Sequence, residues 1–176
     1  LQYARQNDLC LSHGLHDPCM DKSLRPPEDP DRCVRVVKER DDGIIVRGAR
    51  FNTFGLFSNE IMICPTYGFK PEEKEYAMWF TVPCDAPGLS QIARESYGGR
   101  DPLDHPASAV YDEVDSLIVF DDVFIPWERV FLYCEPVMAN QLFRSGVMTW
   151  ASFAGGSLSI LRMEILCAIA EMLAKT

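Results

Sequence analysis

CVRVVKERDDGIIVRGARF, residues 33–51, decides the fold. Its two arms are rich in Val and Ile, whose branched Cβ restricts χ1 and packs well on a pleated surface. Between the arms stands Asp42-Gly43, a dipeptide that readily adopts the positive φ angles of a tight turn. The stretch therefore predicts an antiparallel hairpin with Asp42-Gly43 at its tip. Further out, short apolar runs recur at EIMICP (60–65), YAMWFTVP (76–83) and SLIVF (116–120). They are separated by the polar KPEEKE (70–75) and by YGGRDPLDHPAS (97–108), whose Gly and Pro residues break regular structure. From Cys10 to about Phe131 this spacing predicts an antiparallel β domain.

After Pro126 the texture changes. From about Val137 the sequence is long, helical in pattern and almost free of Pro, and SLSILRMEILCAIAEMLAKT (157–176) is apolar on most of a helical circumference. Such a helix must be buried against other helices, and this chain supplies too few. The expectation is that its partners are further C-terminal sequence, other subunits, or both. Leu1 to Asp8 is polar and helix-compatible but begins without a methionine or a capping signal, like the end of a longer helix. The chain is thus expected to be mainly β with C-terminal α, a fragment divided into the end of a helical segment at 1–8, a central β domain at 9–136 and the start of a helical domain at 137–176.

A chain of 176 residues holds one ordinary domain, or one and part of another. With 26 acidic against 17 basic residues its formal charge is -9, the wrong sign for phosphate backbones or anionic lipid, so nucleic acid and membrane surfaces are excluded as partners. The uncharged run from Ser145 to Leu161 falls short of the roughly 20 residues of a bilayer span. Its Gly146, Gly155 and Gly156 suit helix–helix packing. The seven cysteines form no CxxC pair and accompany no secretory signal, which points to reduced thiols in the cytoplasm.

CLSHGLHDPCMDKS (10–23) spaces Cys10, His13, His16 and Cys19 three residues apart, as if to ligate zinc. Tetrahedral ligation needs four side chains converging on one point. Gly14 and Pro18 oppose a helix, and in an extended segment Cys10 and His13 point to opposite faces, so no metal is expected.

Three stretches together resemble a known family: LCLSHGLHDPCMDKS (9–23), GARFNTFGLFSNE (48–60) and above all YDEVDSLIVFDDVFIPWERVFLY (111–133). They are similar to the flavin-dependent family containing the oxygenase component of 4-hydroxyphenylacetate 3-monooxygenase and 4-hydroxybutyryl-CoA dehydratase, which shares the acyl-CoA dehydrogenase fold. The resemblance spans nearly the whole chain, and FDDVFIPWERVF is its most specific part. It implies an antiparallel barrel or sandwich like the acyl-CoA dehydrogenase middle domain, followed by the first helices of a bundle, with FAD enclosed and a homo-oligomer as the assembly.

Carried over by position, the resemblance places His13 at substrate and flavin, Met20, Asp21, Lys22 and Ser23 along the flavin, and Thr53 against the flavin ring. An imidazole can donate a hydrogen bond to a phenolate, and hydroxyl, amide and cationic groups suit an isoalloxazine ring and its anionic parts. Asp121, Asp122, Trp127, Glu128 and Arg129 are read as architectural, Trp79 and Trp150 as core or interface, and His16 and His105 as turn and loop residues.

The resemblance implies a flavin-dependent monooxygenase in which FADH2 from a separate reductase serves the hydroxylation of a phenol. The alternative is a dehydratase or isomerase acting on a short acyl-CoA. In the dehydratase branch an iron–sulfur cluster takes a histidine and a cysteine around a Gly-Gly; beside Gly155-Gly156 those positions are Trp150 and Ser157, which supply neither imidazole nor thiolate. The resemblance leaves a cluster-free CoA enzyme as the runner-up. ARESYGGRDPLDHPAS (93–108) is similar to the oxygenase branch, CPTYGFKPEEKEYA (64–77) and DKSLRPPEDPD (21–31) to the dehydratase branch.

Overall fold

The computed structural model describes residues 2–18, 21, 23–52, 56–64, 68–112, 114–142, 144, 146 and 148–175. The chain forms two compact units, Leu1–Ala139 and Asn140–Thr176.

The first unit is built on one long strand, β3 (Gly43–Asn52), introduced here with its neighbours β1 (Leu11–His16) and β2 (Arg35–Arg40). One edge of β3 pairs along its whole length with β7 (Ser116–Pro126), from Gly43 opposite Pro126 to Asn52 opposite Ser116. Its other edge is shared. β2 takes the first half, with Arg35 opposite Arg47 and Arg40 opposite Gly43, and β1 takes the end, with Gly14 opposite Asn52. Beyond β1 lie β4 (Glu60–Ile63), β5 (Trp79–Pro83) and β8 (Val130–Leu132), and β6 (Leu89–Ala93) lies beyond β7. The Gln2–Gln6 helix, α1, precedes the sheet.

The hairpin at 33–51 forms, but its tip is Asp41-Asp42 rather than Asp42-Gly43, and neither aspartate has positive φ. Gly43 already belongs to β3. A glycine stands there because β7 presses on it: a Cβ would meet the carbonyl oxygen of Ile125 at 2.2 Å. The antiparallel barrel or sandwich is also corrected. The described strands form a single open mixed sheet in the order β6-β7-β3-β1-β4-β5-β8, with β2 on β3. β1 fills the space between β3 and β4, which run antiparallel to each other, so it must run parallel to one of them. It pairs parallel with β4, Leu11 opposite Glu60 through Gly14 opposite Ile63. Turn chemistry specifies only sequence-local pairs and carries no signal for such an insertion.

Alternation along the strands sets the core. On β3, Ile44 and Val46 point inward; on β4, Ile61 and Ile63; on β5, Phe80 and Val82; on β7, Ile118, Phe120, Val123 and Ile125. The sheet coils far enough for Phe80 and Phe120, on strands remote in sheet order, to meet edge to face at 6.0 Å. On β7 the inward set shifts by one residue between Phe120 and Val123. That shift is a β-bulge at Asp121-Asp122: Val46 is opposite Val123, yet Gly48 is opposite Phe120. Asp122 takes φ 53°, and its carboxylate accepts two hydrogen bonds from Arg47, Nε to Oδ1 at 2.9 Å and Nη2 to Oδ2 at 2.7 Å. The remainder of FDDVFIPWERVF is architectural too. Trp127 Nε1 donates to the Arg40 carbonyl at 3.2 Å, and Arg129 pairs with buried Glu60 at 2.8 Å.

The α2 helix (Pro136–Leu142) closes the β region. In the second unit α3 (Met148–Ala174) is 27 residues long, with apolar residues on all sides; Leu158, Leu161, Ile165 and Met172 are more than half exposed. No helix among the described residues is long and apolar enough to cross a membrane.

Gly48 sits where the shared edge of β3 changes partner, with φ 124° and no room for a side chain: a Cβ would lie 2.1 Å from the Cys33 carbonyl oxygen. Gly48→Ala is expected to destabilise the protein by roughly 2–4 kcal/mol, from a disfavoured backbone and a backbone clash together. Gly99→Ala, also at positive φ but in open space, is expected to cost about 1 kcal/mol. Denaturant unfolding of both variants checks the difference.

Candidate functional site

β1 sorts its residues by face. Ser12 and Gly14 point into the core; His13 points to the opposite face and is half-buried. Gly14 has no side chain because a Cβ would lie 2.8 Å from both Arg50 Cγ and Ile63 Cδ1. Register then fixes the surroundings of His13. Met62 is its partner on β4 and Thr81 is Met62's partner on β5, while Phe51, opposite His16 on β1 and Leu117 on β7, lies further along the outward side of β3. Met62, Thr81, Phe51 and Leu117 are partly buried, and Met62 is the apolar neighbour that register places beside His13 on the outer face of the sheet. Burial, and secondarily the charge of His16, lowers the pKa of His13 below its ordinary 6.5, so the imidazole is neutral at pH 7.

Beyond β1 the chain turns. Asp17 is buried and pairs with Arg50, Nη1 to Oδ1 at 2.6 Å, each side chain only 3% exposed. Asp21 Oδ1 accepts from the Ser23 amide at 2.9 Å and from its hydroxyl at 2.6 Å, an Asx-type turn that lowers the Asp21 pKa, the side-chain bond first. Arg32, 7% exposed, donates from Nη1 to the Asp21 carbonyl and from Nη2 to the Leu24 carbonyl at 2.8 Å. At the end of β3, Asn52 Nδ2 donates to Ser12 Oγ at 3.3 Å, and Ser12 Oγ shares a 2.7 Å hydrogen bond with Ser58 Oγ. The same serine thus joins the strand of His13 to residues on both sides of 53–55.

Of the residues singled out from the sequence, His13, Asp21 and Ser23 are described as above; Met20, Lys22 and Thr53 lie outside the described residues. His16 is exposed, and the His105 ring lies 5.3 Å from that of Tyr97 in the 94–115 loop. Cys19 of the CxxHxxHxxC pattern is likewise outside, and among the described residues no group of three His, Cys, Asp or Glu could hold a metal ion. Thiol chemistry is not available in the core. Burial pushes the Cys33 thiol up to about 11 and the Cys64 thiol to about 12, leaving both protonated.

Sequence reading missed Phe51, Arg50, Arg32 and Asp17. Phe51 was recoverable, since it lies on the outward parity of β3. Arg50 was also visible in part: it shares parity with Ile44 and Val46, and a charge at an inward position demands a buried counter-charge. Nothing local marks Arg32 or Asp17.

An open mixed sheet with a half-buried histidine on its outer face, followed by helix, belongs to a defined class of proteins. Residues 1–132 match the family model described as 4-hydroxyphenylacetate 3-hydroxylase N terminal, and the chain belongs to that family. It is 34% identical over 178 residues to the 4-hydroxyphenylacetate 3-monooxygenase oxygenase component of Thermus thermophilus, covering 99% of this chain and 37% of that protein. It is 38% identical over 151 residues to the 4-hydroxybutyryl-CoA dehydratase/vinylacetyl-CoA-Delta-isomerase of Clostridium aminobutyricum, covering 81% of this chain and 31% of that protein. Among solved structures, the oxygenase component of 4-hydroxyphenylacetate 3-monooxygenase complexed with FAD matches with a TM-score of 0.72 at 38% identity, over 82% of this chain and 31% of that one. The chain thus spans about a third of the length of these relatives.

His13 gives the protein a pH signature. Its imidazole takes up a proton at lower pH in the folded state than in the unfolded chain, so the unfolded state binds more protons just below 6.5. Stability is therefore fully present above pH 6.5 and is lost as pH falls through the folded value. His13→Asn is expected to flatten this part of the stability–pH curve, measured by urea unfolding from pH 5 to 8.

Proposed function

We propose that the chain is part of a flavin-dependent aromatic hydroxylase of the 4-hydroxyphenylacetate 3-monooxygenase type. In this reading 1–8 ends an N-terminal helical segment, 9–136 is the flavin-side domain and 137–176 begins a helical domain. The observation that carries it is His13: a neutral, half-buried imidazole beside Met62 on an outward face, in a chain of this family. The surroundings fit a flavin. An outward face carrying partly buried Met62 and Phe51 suits a flat ring, and the Asp21–Ser23 turn offers polar groups. His13, Met20, Asp21, Lys22, Ser23 and Thr53 would hold FAD, which in reduced form supplies the electrons for activating O2.

The residues of this chain supply position and proton control. A neutral His13 donates a hydrogen bond to a phenolic oxygen or accepts its proton, and so favours the phenolate, which is the more nucleophilic ring. The partial burial of His13 limits its contact with water, which strengthens that hydrogen bond. The partners are a small phenol and a separate flavin reductase, in a cytoplasmic homo-oligomer whose further helices cover the apolar surface of α3. Nucleic acid is not a partner, given the charge of -9.

A second reading is favoured by the 38% identity to the dehydratase/isomerase: a cluster-free enzyme acting on a short hydroxyacyl- or enoyl-CoA. Ser157 stands where the resemblance puts a cluster cysteine, and its hydroxyl donates to the Phe153 carbonyl at 3.0 Å, an ordinary helix contact.

The full-length protein is to be assayed with FADH2, O2 and a panel of phenols, beside crotonyl- and vinylacetyl-CoA without O2. Phenol hydroxylation is expected, with His13→Ala lowering turnover by about 10²- to 10⁴-fold and flavin affinity little changed. Oxygen-independent CoA isomerisation without hydroxylation would replace this reading by the second.

A further inference from the structure

The stretch from Asp17 to Leu24 has no helix or strand among its described residues. One backbone hydrogen bond within it, from the Leu24 amide to the Asp21 carbonyl, is long at 3.4 Å. Two buried guanidinium groups hold its described residues. Arg50 on β3 holds the Asp17 carboxylate at one end, and Arg32 reaches the carbonyls of both Asp21 and Leu24 at the other. Arg32 lies before β2, and its two carbonyl partners belong to no ladder of the sheet. A buried cation costs desolvation, and here its donors go to a turn that the sheet does not need.

The chemistry suits one side chain. A guanidinium is a rigid planar fork that donates from two nitrogens at once and keeps its proton when buried, so it fixes two carbonyls relative to each other. An ammonium on a flexible stem is a point donor and leaves their separation free. Fixing the Asp21 and Leu24 carbonyls fixes the intervening Ser23, whose hydroxyl and amide are already tied to the Asp21 carboxylate.

We propose that Arg32 is a positioning residue for the cofactor: by gripping the Asp21 and Leu24 carbonyls it presets the turn that receives the flavin, and so sets flavin affinity without touching the flavin. This rests on the flavin-side reading given under Proposed function. It separates Arg32 from ordinary core residues, whose loss lowers stability alone. Ile125, fully buried where β7 meets the start of β3, is such a residue.

The test uses the full-length protein and FAD, titrated oxidised in air and reduced under anaerobic conditions, with the visible spectrum of the bound oxidised flavin as a second readout and thermal unfolding alongside. Arg32→Met is expected to weaken flavin binding 10- to 100-fold and to shift the bound spectrum towards that of free FAD, with Arg32→Lys in between. Ile125→Ala is expected to lower the melting temperature and change flavin affinity less than twofold. Should Arg32→Met not fold, Arg32→Lys decides: weakened binding supports the assignment, and wild-type affinity overturns it. Ile125→Ala weakening flavin as much as an Arg32 variant of equal stability would also overturn it. A wild-type protein that binds no flavin refutes the flavin-side reading and this inference together; flavin binding that is indifferent to Arg32 refutes the inference alone.

Discussion

The close approach of Gly48 to the Cys33 carbonyl is the constraint on which the rest of the sheet depends. One edge of β3 must serve β2 and then β1, and the chain entering β2 crosses the point where the partners change. Only a residue without Cβ, at a backbone angle that other residues rarely adopt, admits that crossing. The opposite edge adjusts at the same level, where the Asp121-Asp122 bulge restores the inward phase of β7 and Arg47 ties Asp122 to β3. Because β2 stops there, the end of β3 is free to receive β1. With β1 come His13 on one face and Ser12 on the other.

Buried carboxylates of the first unit take arginine partners where the backbone is irregular. Arg50 holds Asp17 after β1, Arg25 holds the buried Glu73 of the Pro71–Tyr76 turn, and Arg129 after β7 holds Glu60 at the start of β4. In the Arg50–Asp17 pair both side chains are buried, and such pairs contribute little net stability, because desolvation offsets attraction. What they contribute is conformation, since breaking one leaves a buried charge without its partner. Irregular stretches lack the ladder of backbone hydrogen bonds that fixes a strand, and the side chains replace it.

Relatives of this chain include a 4-hydroxyphenylacetate 3-monooxygenase oxygenase component and a 4-hydroxybutyryl-CoA dehydratase/vinylacetyl-CoA-Delta-isomerase, two chemistries on related sequences. A half-buried neutral histidine is a general device for a proton on oxygen or carbon. This chain spans about a third of the length of these relatives.

The amino-acid sequence by itself determined the strand-forming segments, the hairpin at 33–51, the helical end of the chain and, through three motifs, the family. These are local properties: alternation, branched side chains and turn residues act over a few positions and survive without the fold. It also put His13 forward, though not the reason that it stays neutral. Only the tertiary structure decided that β1 enters between β3 and β4, that the sheet stays open, and that Gly43 is needed for a close approach and not for a turn. The same holds for Arg32 and Asp17, which reach partners across the fold and belong to no local pattern. A strand pairs with whatever edge the rest of the chain leaves exposed, and a buried charge pairs with whatever the fold brings within about 3 Å, so neither partner is written beside the residue it serves.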